Sequence, residues 1–218
     1  VAAPVFEEGK DGWLQGRVAF TTQDVLSNTE CSALINHAES LGFEKALLNV
    51  GYGRQILDED TRKSQRLIID STVLAEAVWA RIEHLVPARI ASKRANGRDL
   101  VVVGLNERLR LLKYLPGDVF QPHCDGCFAR GDEFSVLTLQ LYLNECEDGG
   151  ETTMWSNEAM WRDKDDKPSE EDAAHAERRV VCRPGQALVF SHRIWHEGSV
   201  VKKGVKYVIR TDVMYKYE

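Results

Sequence analysis

From Leu100 onward the sequence stops repeating at helical spacing and becomes a succession of short apolar, β-branched runs punctuated by Gly, Pro, Asn and Asp. Val101–Val103, Leu109–Leu115, Ser135–Leu143, Val180–Val181, Ala187–Phe190 and Tyr207–Tyr215 have the length and composition of strands. Two helices stand ahead of them. Ser27 and Glu30 frame a capping box before Cys31, Leu34, Ile35, Ala38 and Leu41, with Gly42 as the stop. Asp70 or Ser71 caps a second helix through Val73, Leu74, Ala77, Val78, Ile82 and Leu85, which Pro87 ends. Two helices followed by many strands predict a mainly β, α+β chain whose helices back one face of a sheet.

The remaining segments read as connections. Val1–Arg17, with Trp13, is an irregular lead-in to a short strand over Val18–Thr22. Asn49–Arg66 reads as a polar connection that either faces substrate or is simply solvated, and Ala88–Leu100 as a basic one carrying Arg89, Lys93, Arg94 and Arg98. Asn157–Arg179 is dense in Asp, Glu, Lys and Arg and too poor in aliphatics to bury its own core, so it is expected to form an exposed insertion between strands.

At 218 residues and 43% hydrophobic content, one core suffices. The expectation is a single domain over 1–218, with a helical support region (1–104) and a strand-rich core (105–218). A net charge of -6 argues against a general nucleic-acid binder, because that affinity comes from clustered Lys and Arg. Five scattered cysteines make no disulfide scaffold, and the Cys124/Cys127 pair lacks the second pair a zinc site would need; free thiols at a pocket rim are expected. No apolar run approaches the roughly 20 residues of a membrane span, and no signal sequence is visible. The expected compartment is cytoplasmic or nuclear, with a secretory one left open.

The chemistry concentrates at Gln121-Pro122-His123-Cys124-Asp125-Gly126. On an extended segment His123 and Asp125 point to the same side. A second imidazole from a distant strand, His196 or its competitor His192, would complete a 2-His-1-carboxylate triad, which leaves coordination positions open on a non-haem Fe(II). His37 and His84 lie on the helices, far in sequence from this cluster.

Alone, a His-x-Asp pair carries little weight. Its neighbours add to it: Arg108–Tyr114 leading into Pro116-Gly117-Asp118, then Leu137–Asn144, Gly149-Gly150-Glu151-Thr152, Pro184–Phe190 and Gly204–Tyr207. In this order the set resembles the 2-oxoglutarate/Fe(II)-dependent dioxygenases, and within them the prolyl 4-hydroxylase-like branch. The resemblance implies a double-stranded β-helix, or jelly roll, with Fe(II), 2-oxoglutarate as cosubstrate, molecular oxygen and ascorbate as a candidate reductant. It selects His196 over His192 as third ligand beside His123 and Asp125, because Gly204-Val205-Lys206 follows at the family's distance.

It also implies that Lys206 neutralises the far carboxylate of the cosubstrate, with Arg210 as the alternative, and that Tyr114, Thr138 and Tyr142 contact the cosubstrate. The implied activity is hydroxylation of an unactivated C–H bond, foremost of a prolyl residue in a protein or peptide, with release of succinate and carbon dioxide. A small-molecule hydroxylase and a non-catalytic cupin-like binding module are the alternatives. Arg110, Phe120, Trp155 and Trp195 are expected near the substrate mouth, where packing is the competing role.

Overall fold

The computed structural model describes residues 1–6, 17–51, 54–91, 98–155 and 177–218. Trp13, Lys93, Arg94 and residues 157–176 of the charged insertion lie outside the described residues. Both helices form where their caps predict. In helix α1, Asn28–Leu41, the Ser27 hydroxyl accepts from the Glu30 amide while Glu30 reaches back to the Ser27 amide, and Gly42 at φ 86° ends it. In helix α2, Thr72–Ile82, the cap is Ser71, whose hydroxyl accepts from the Leu74 amide.

Among the described residues the strands make an eleven-stranded sheet, a five-stranded sheet and two two-stranded ones, with antiparallel pairing. The larger runs Ala19–Thr22, Ala187–Ser191, Glu133–Tyr142, Lys206–Tyr217, Arg108–Tyr114, Gln65–Asp70 through its centre; the smaller runs Glu177–Val180, Thr152–Trp155, Trp195–Gly198, Val119–His123, Arg62–Lys63. This is the mainly β, jelly-roll architecture expected.

Strand alternation builds two cores at once. On the larger sheet Leu109, Leu111, Leu137, Leu139, Leu141, Val189, Ile209 and Val213 pack with Val78 and Ile82 of α2. The opposite face sends Leu112, Tyr114, Tyr142, Leu188, Phe190 and Val208 into a second cluster with Met154 and Val180 of the smaller sheet. The second face is the barrel interior. The polar residues of that register, Lys206, Arg210, Asp212, Arg110, Thr138 and Gln140, point inside with it.

Several expectations need correction. The polar connection 49–66 holds strands: Gln55–Ile56 pairs with Leu48–Asn49, Arg62–Lys63 edges the smaller sheet, and Gln65–Asp70 pairs with Arg108–Tyr114. Its alternation was masked because the inward positions include Arg66, which is buried against Glu44 at 3.1 Å. Ala3–Pro4 of the lead-in pairs with Phe20 and Thr21, and Arg89–Ile90 of the basic connection with Leu100 and Val101. Glu177–Arg179, expected at the end of the insertion, begin a strand opposite Thr153–Trp155. Leu41 and Val73, expected on the packed helix faces, are exposed.

One tie between layers depends on a glycine. Gly185 adopts φ +75°, and its backbone accepts from the Val25 amide at 2.9 Å and donates to Tyr142 O at 2.9 Å. A Cβ there would lie 2.0 Å from Leu26 O. Gly185→Ala therefore combines an unfavourable dihedral with a backbone clash, and a loss of about 2–4 kcal/mol in urea unfolding is expected.

Candidate metal centre and cosubstrate pocket

His123 closes the strand Val119–His123, and His196 lies directly opposite it on Trp195–Gly198. Antiparallel pairing thus brings together two imidazoles far apart in sequence, with ring centroids 4.3 Å apart. Asp125 follows two residues later, its amide donating to His192 O at 3.0 Å. One ligand atom from each of His123, Asp125 and His196 falls within 4.8 Å of the others.

The hydrogen bonds decide which nitrogen faces the centre. His123 Nδ1–H donates to Gln121 O at 2.7 Å, and His196 Nδ1–H to Ile194 O at 2.9 Å. A carbonyl only accepts, so each Nδ1 carries the proton and each Nε2 presents a lone pair. Those Nε2 atoms stand 3.9 Å and 3.7 Å from the Asp125 carboxylate. Three acceptors facing one another with no proton between them suit a cation.

Charge states agree with that reading. Burial pushes the His123 imidazole down to about 3, with repulsion from His196 adding to it. Burial likewise lowers His196 against the pull of Asp125. Burial alone would raise Asp125, but Arg210, His196 and His123 hold it well below the usual carboxylate range. At neutral pH the donors are two neutral imidazoles and an anion.

A pH dependence follows for the metal-free protein. The unfolded chain takes up a proton on His123 near pH 6.5, whereas the folded chain refuses it until about 3, so the unfolded state binds more protons in between. Stability is expected to be intact above 6.5 and to fall as pH drops toward 3, by at most about 1.4 kcal/mol per pH unit from this group. Asp125 and Asp212, both depressed, act in the same direction at lower pH. Denaturant midpoints measured from pH 7.5 to 4 in chelator check the sign.

Asp125 is held by neighbours on the larger sheet. The Thr138 hydroxyl donates to its Oδ2, and Arg210 Nη2 lies 3.2 Å from its Oδ1. Arg210 also reaches Asp212 at 3.1 Å. Asp212 meets Arg110 at 3.3 Å and His192 Nε2 at 3.6 Å. His192 therefore sits beside Asp212, whereas His196 joins His123 and Asp125.

Lys206 has the opposite character. It is 3% exposed, over the rings of Tyr114 (5.3 Å) and Tyr142 (5.7 Å). Among the described residues no carboxylate lies within ion-pair distance of it. A buried cation resting on two aromatic faces has room for an anion. The Tyr142 hydroxyl is bound to Thr152 Oγ1 at 2.7 Å, which fixes its ring beneath the ammonium.

Phe120 stacks on the His123 ring at 3.6 Å, with the Arg62 guanidinium 4.6 Å above it. Trp155 and Trp195, expected at the mouth, pair directly opposite each other. Their neighbours Met154 and His196 are buried toward the barrel interior, so alternation puts both tryptophans on the outer face of the smaller sheet. Cys124 and Cys127 are free thiols; burial pushes Cys124 up to about 11, and Cys127 donates to Ser135 O at 3.3 Å. Arg62 and Asp212 were not singled out from sequence. Asp212 continues the alternate-residue series Lys206, Val208, Arg210 and was legible there, whereas Arg62 has no local signal.

Residues 109–211 match the profile of the 2OG-Fe(II) oxygenase superfamily. Prolyl 4-hydroxylase 5 of Arabidopsis thaliana is 28% identical over 142 residues, covering 62% of this chain and 43% of that protein. The chain thus spans less than half the length of this relative. Among solved structures, a prolyl hydroxylase from Trichoplax adhaerens in complex with a hypoxia inducible factor oxygen degradation domain peptide fragment superposes with TM-score 0.61 at 16% identity, over 93% of this chain and 86% of that one. The carbocyclase SnoK from nogalamycin biosynthesis superposes with TM-score 0.55 at 13% identity, over 99% and 88%. These likenesses carry the fold.

Proposed function

Because residues 109–211 match the profile of the 2OG-Fe(II) oxygenase superfamily, we propose that this chain is a 2-oxoglutarate-dependent hydroxylase with His123, Asp125 and His196 as iron ligands. The observation that carries the reading is the His–Asp–His convergence together with a buried lysine that has no carboxylate within ion-pair distance among the described residues. Bound there, ferrous iron and 2-oxoglutarate supply the oxidation of an unactivated C–H bond by molecular oxygen, with succinate and carbon dioxide as coproducts.

The chain's own residues supply orientation and charge. The two Nδ1–H donors to Gln121 O and Ile194 O fix the ring planes, so each Nε2 is presented without rotation. Thr138 and Arg210 steady Asp125. Lys206 neutralises the distal carboxylate of the cosubstrate, while Phe120 and Phe190, against His123 and His196, keep water from the ligand face. Arg210 already has two carboxylate partners, which favours Lys206 as the anchor.

For the acceptor, the names of the relatives favour a prolyl residue in a peptide or protein. The fold alone does not specify it, since SnoK is a carbocyclase. The test is anaerobic titration with Fe(II) and 2-oxoglutarate, followed by succinate formation in air with and without proline-rich peptides. A visible absorption band with peptide-stimulated succinate is the expected result. Failure to bind either component overturns the reading, and binding with no stimulation removes only the prolyl part.

A further inference from the structure

Among the described residues the site carries more cations than its acids balance. Arg110 and Arg210 stand directly opposite each other across two strands, a like-charge pairing that costs stability. The single carboxylate between them, Asp212, is shared at 3.3 Å and 3.1 Å. The second carboxylate, Asp125, would give its charge to a bound metal. Arg62 has no carboxylate within ion-pair distance among the described residues; its guanidinium rests on Phe120, which itself rests on His123. Burial, followed by repulsion from Arg210 and Arg66, lowers the Arg62 pKa against the pull of Tyr114 and Asp125. Lys206 is committed to the cosubstrate.

Position separates the roles of these cations. Along Lys206–Tyr217 and its partner Arg108–Tyr114, Lys206 lies opposite Tyr114 and Arg210 opposite Arg110, two inward positions further on. Side-chain exposure rises from 15% at Arg210 to 23% at Arg110, against 3% for Lys206 as a residue. Lys206 is therefore the most enclosed of these three cations and Arg110 the most accessible. A dicarboxylate anchored at Lys206 leaves Arg110 and Arg62 without full compensation.

We infer that Arg110 and Arg62 receive a carboxylate of the acceptor substrate, so that the molecule hydroxylated is an organic acid or an acidic peptide rather than a neutral chain. Arg110 can offer a planar fork to such a group while sharing Asp212. Arg62 comes from the smaller sheet and lies near enough to Arg210 and Asp125 to feel their charges. This rests on the hydroxylase reading above and adds the charge of the acceptor to it.

The test uses the wild-type chain with Fe(II) and 2-oxoglutarate, and follows acceptor-stimulated succinate. Free amino acids and short carboxylic acids are each compared with their primary amides, and proline-rich peptides with and without an acidic residue beside the proline are run in parallel. The expected result is an acid over amide preference on the order of 100-fold in kcat/KM, with the free-acid and peptide arms identifying which source is used. Arg110→Gln and Arg62→Gln are each expected to raise KM for the acid about tenfold or more with a smaller change in kcat, and Arg110→Lys to recover part of it. Equal use of acids and amides by wild type overturns the inference even if both variants fail to fold, as does an unchanged preference in folded variants. Loss of 2-oxoglutarate binding in wild type overturns the parent reading instead.

Discussion

Replacing His196 with alanine is expected to abolish acceptor hydroxylation and the Fe(II)–2-oxoglutarate absorption band together, with kcat/KM down by at least about 10³-fold, or roughly 4 kcal/mol. The size follows from what the imidazole does. It is 2% exposed, aligned by Ile194 O, and directly opposite His123, so water entering in its place would have no fixed orientation. Asp125→Ala is expected to be at least as severe, because it also removes one of the two carboxylates that hold Arg210 and the acceptor of the Thr138 hydroxyl. Iron content after anaerobic gel filtration, measured beside far-ultraviolet circular dichroism, separates loss of metal from loss of fold. A folded His196→Ala variant that retains iron and the band would remove His196 from the ligand set.

Lys206→Ala is expected to raise the KM for 2-oxoglutarate by about 150-fold or more, equivalent to roughly 3 kcal/mol, because the distal carboxylate would then be buried unpaired. Arg210→Ala should raise it far less, since Arg210 is already occupied by Asp125 and Asp212; its main expected effect is on kcat, through a less well held Asp125. The reverse order of the two KM values would transfer the anchoring role to Arg210. Lys206→Met gives a fold-preserving control, as it keeps the apolar stem over Tyr114 and Tyr142 while removing the charge.

Much of the frame was readable because local rules and tertiary packing agreed. Ser27, Glu30 and Gly42 bound one helix by themselves, and alternating Leu109, Leu111 and Leu137, Leu139, Leu141 could only be strands buried on that face. The pairing of His123 with His196 came from the resemblance, not from spacing, since 73 residues separate them and no local feature links the two strands. Arg62, Arg66 and Gln65–Asp70 were missed for a related reason. A polar residue inside a barrel reads as surface when its compensating partners come from other strands. The face of Trp155 and Trp195 was set by parity: each lies one residue from an inward-facing position, and that single step reverses the face.

The twelve-residue strand Lys206–Tyr217 is held on one side by Glu133–Tyr142 and on the other by Arg108–Tyr114 and Leu100–Leu105. It cannot slide without breaking both ladders. Four residues of strand set Lys206 and Arg210 about 13 Å apart along one face. Neither side chain can be brought nearer the other by a shift of register. Keto diacids one methylene shorter or longer than 2-oxoglutarate should therefore bind more weakly, because Lys206 has no freedom along the strand to follow a displaced carboxylate.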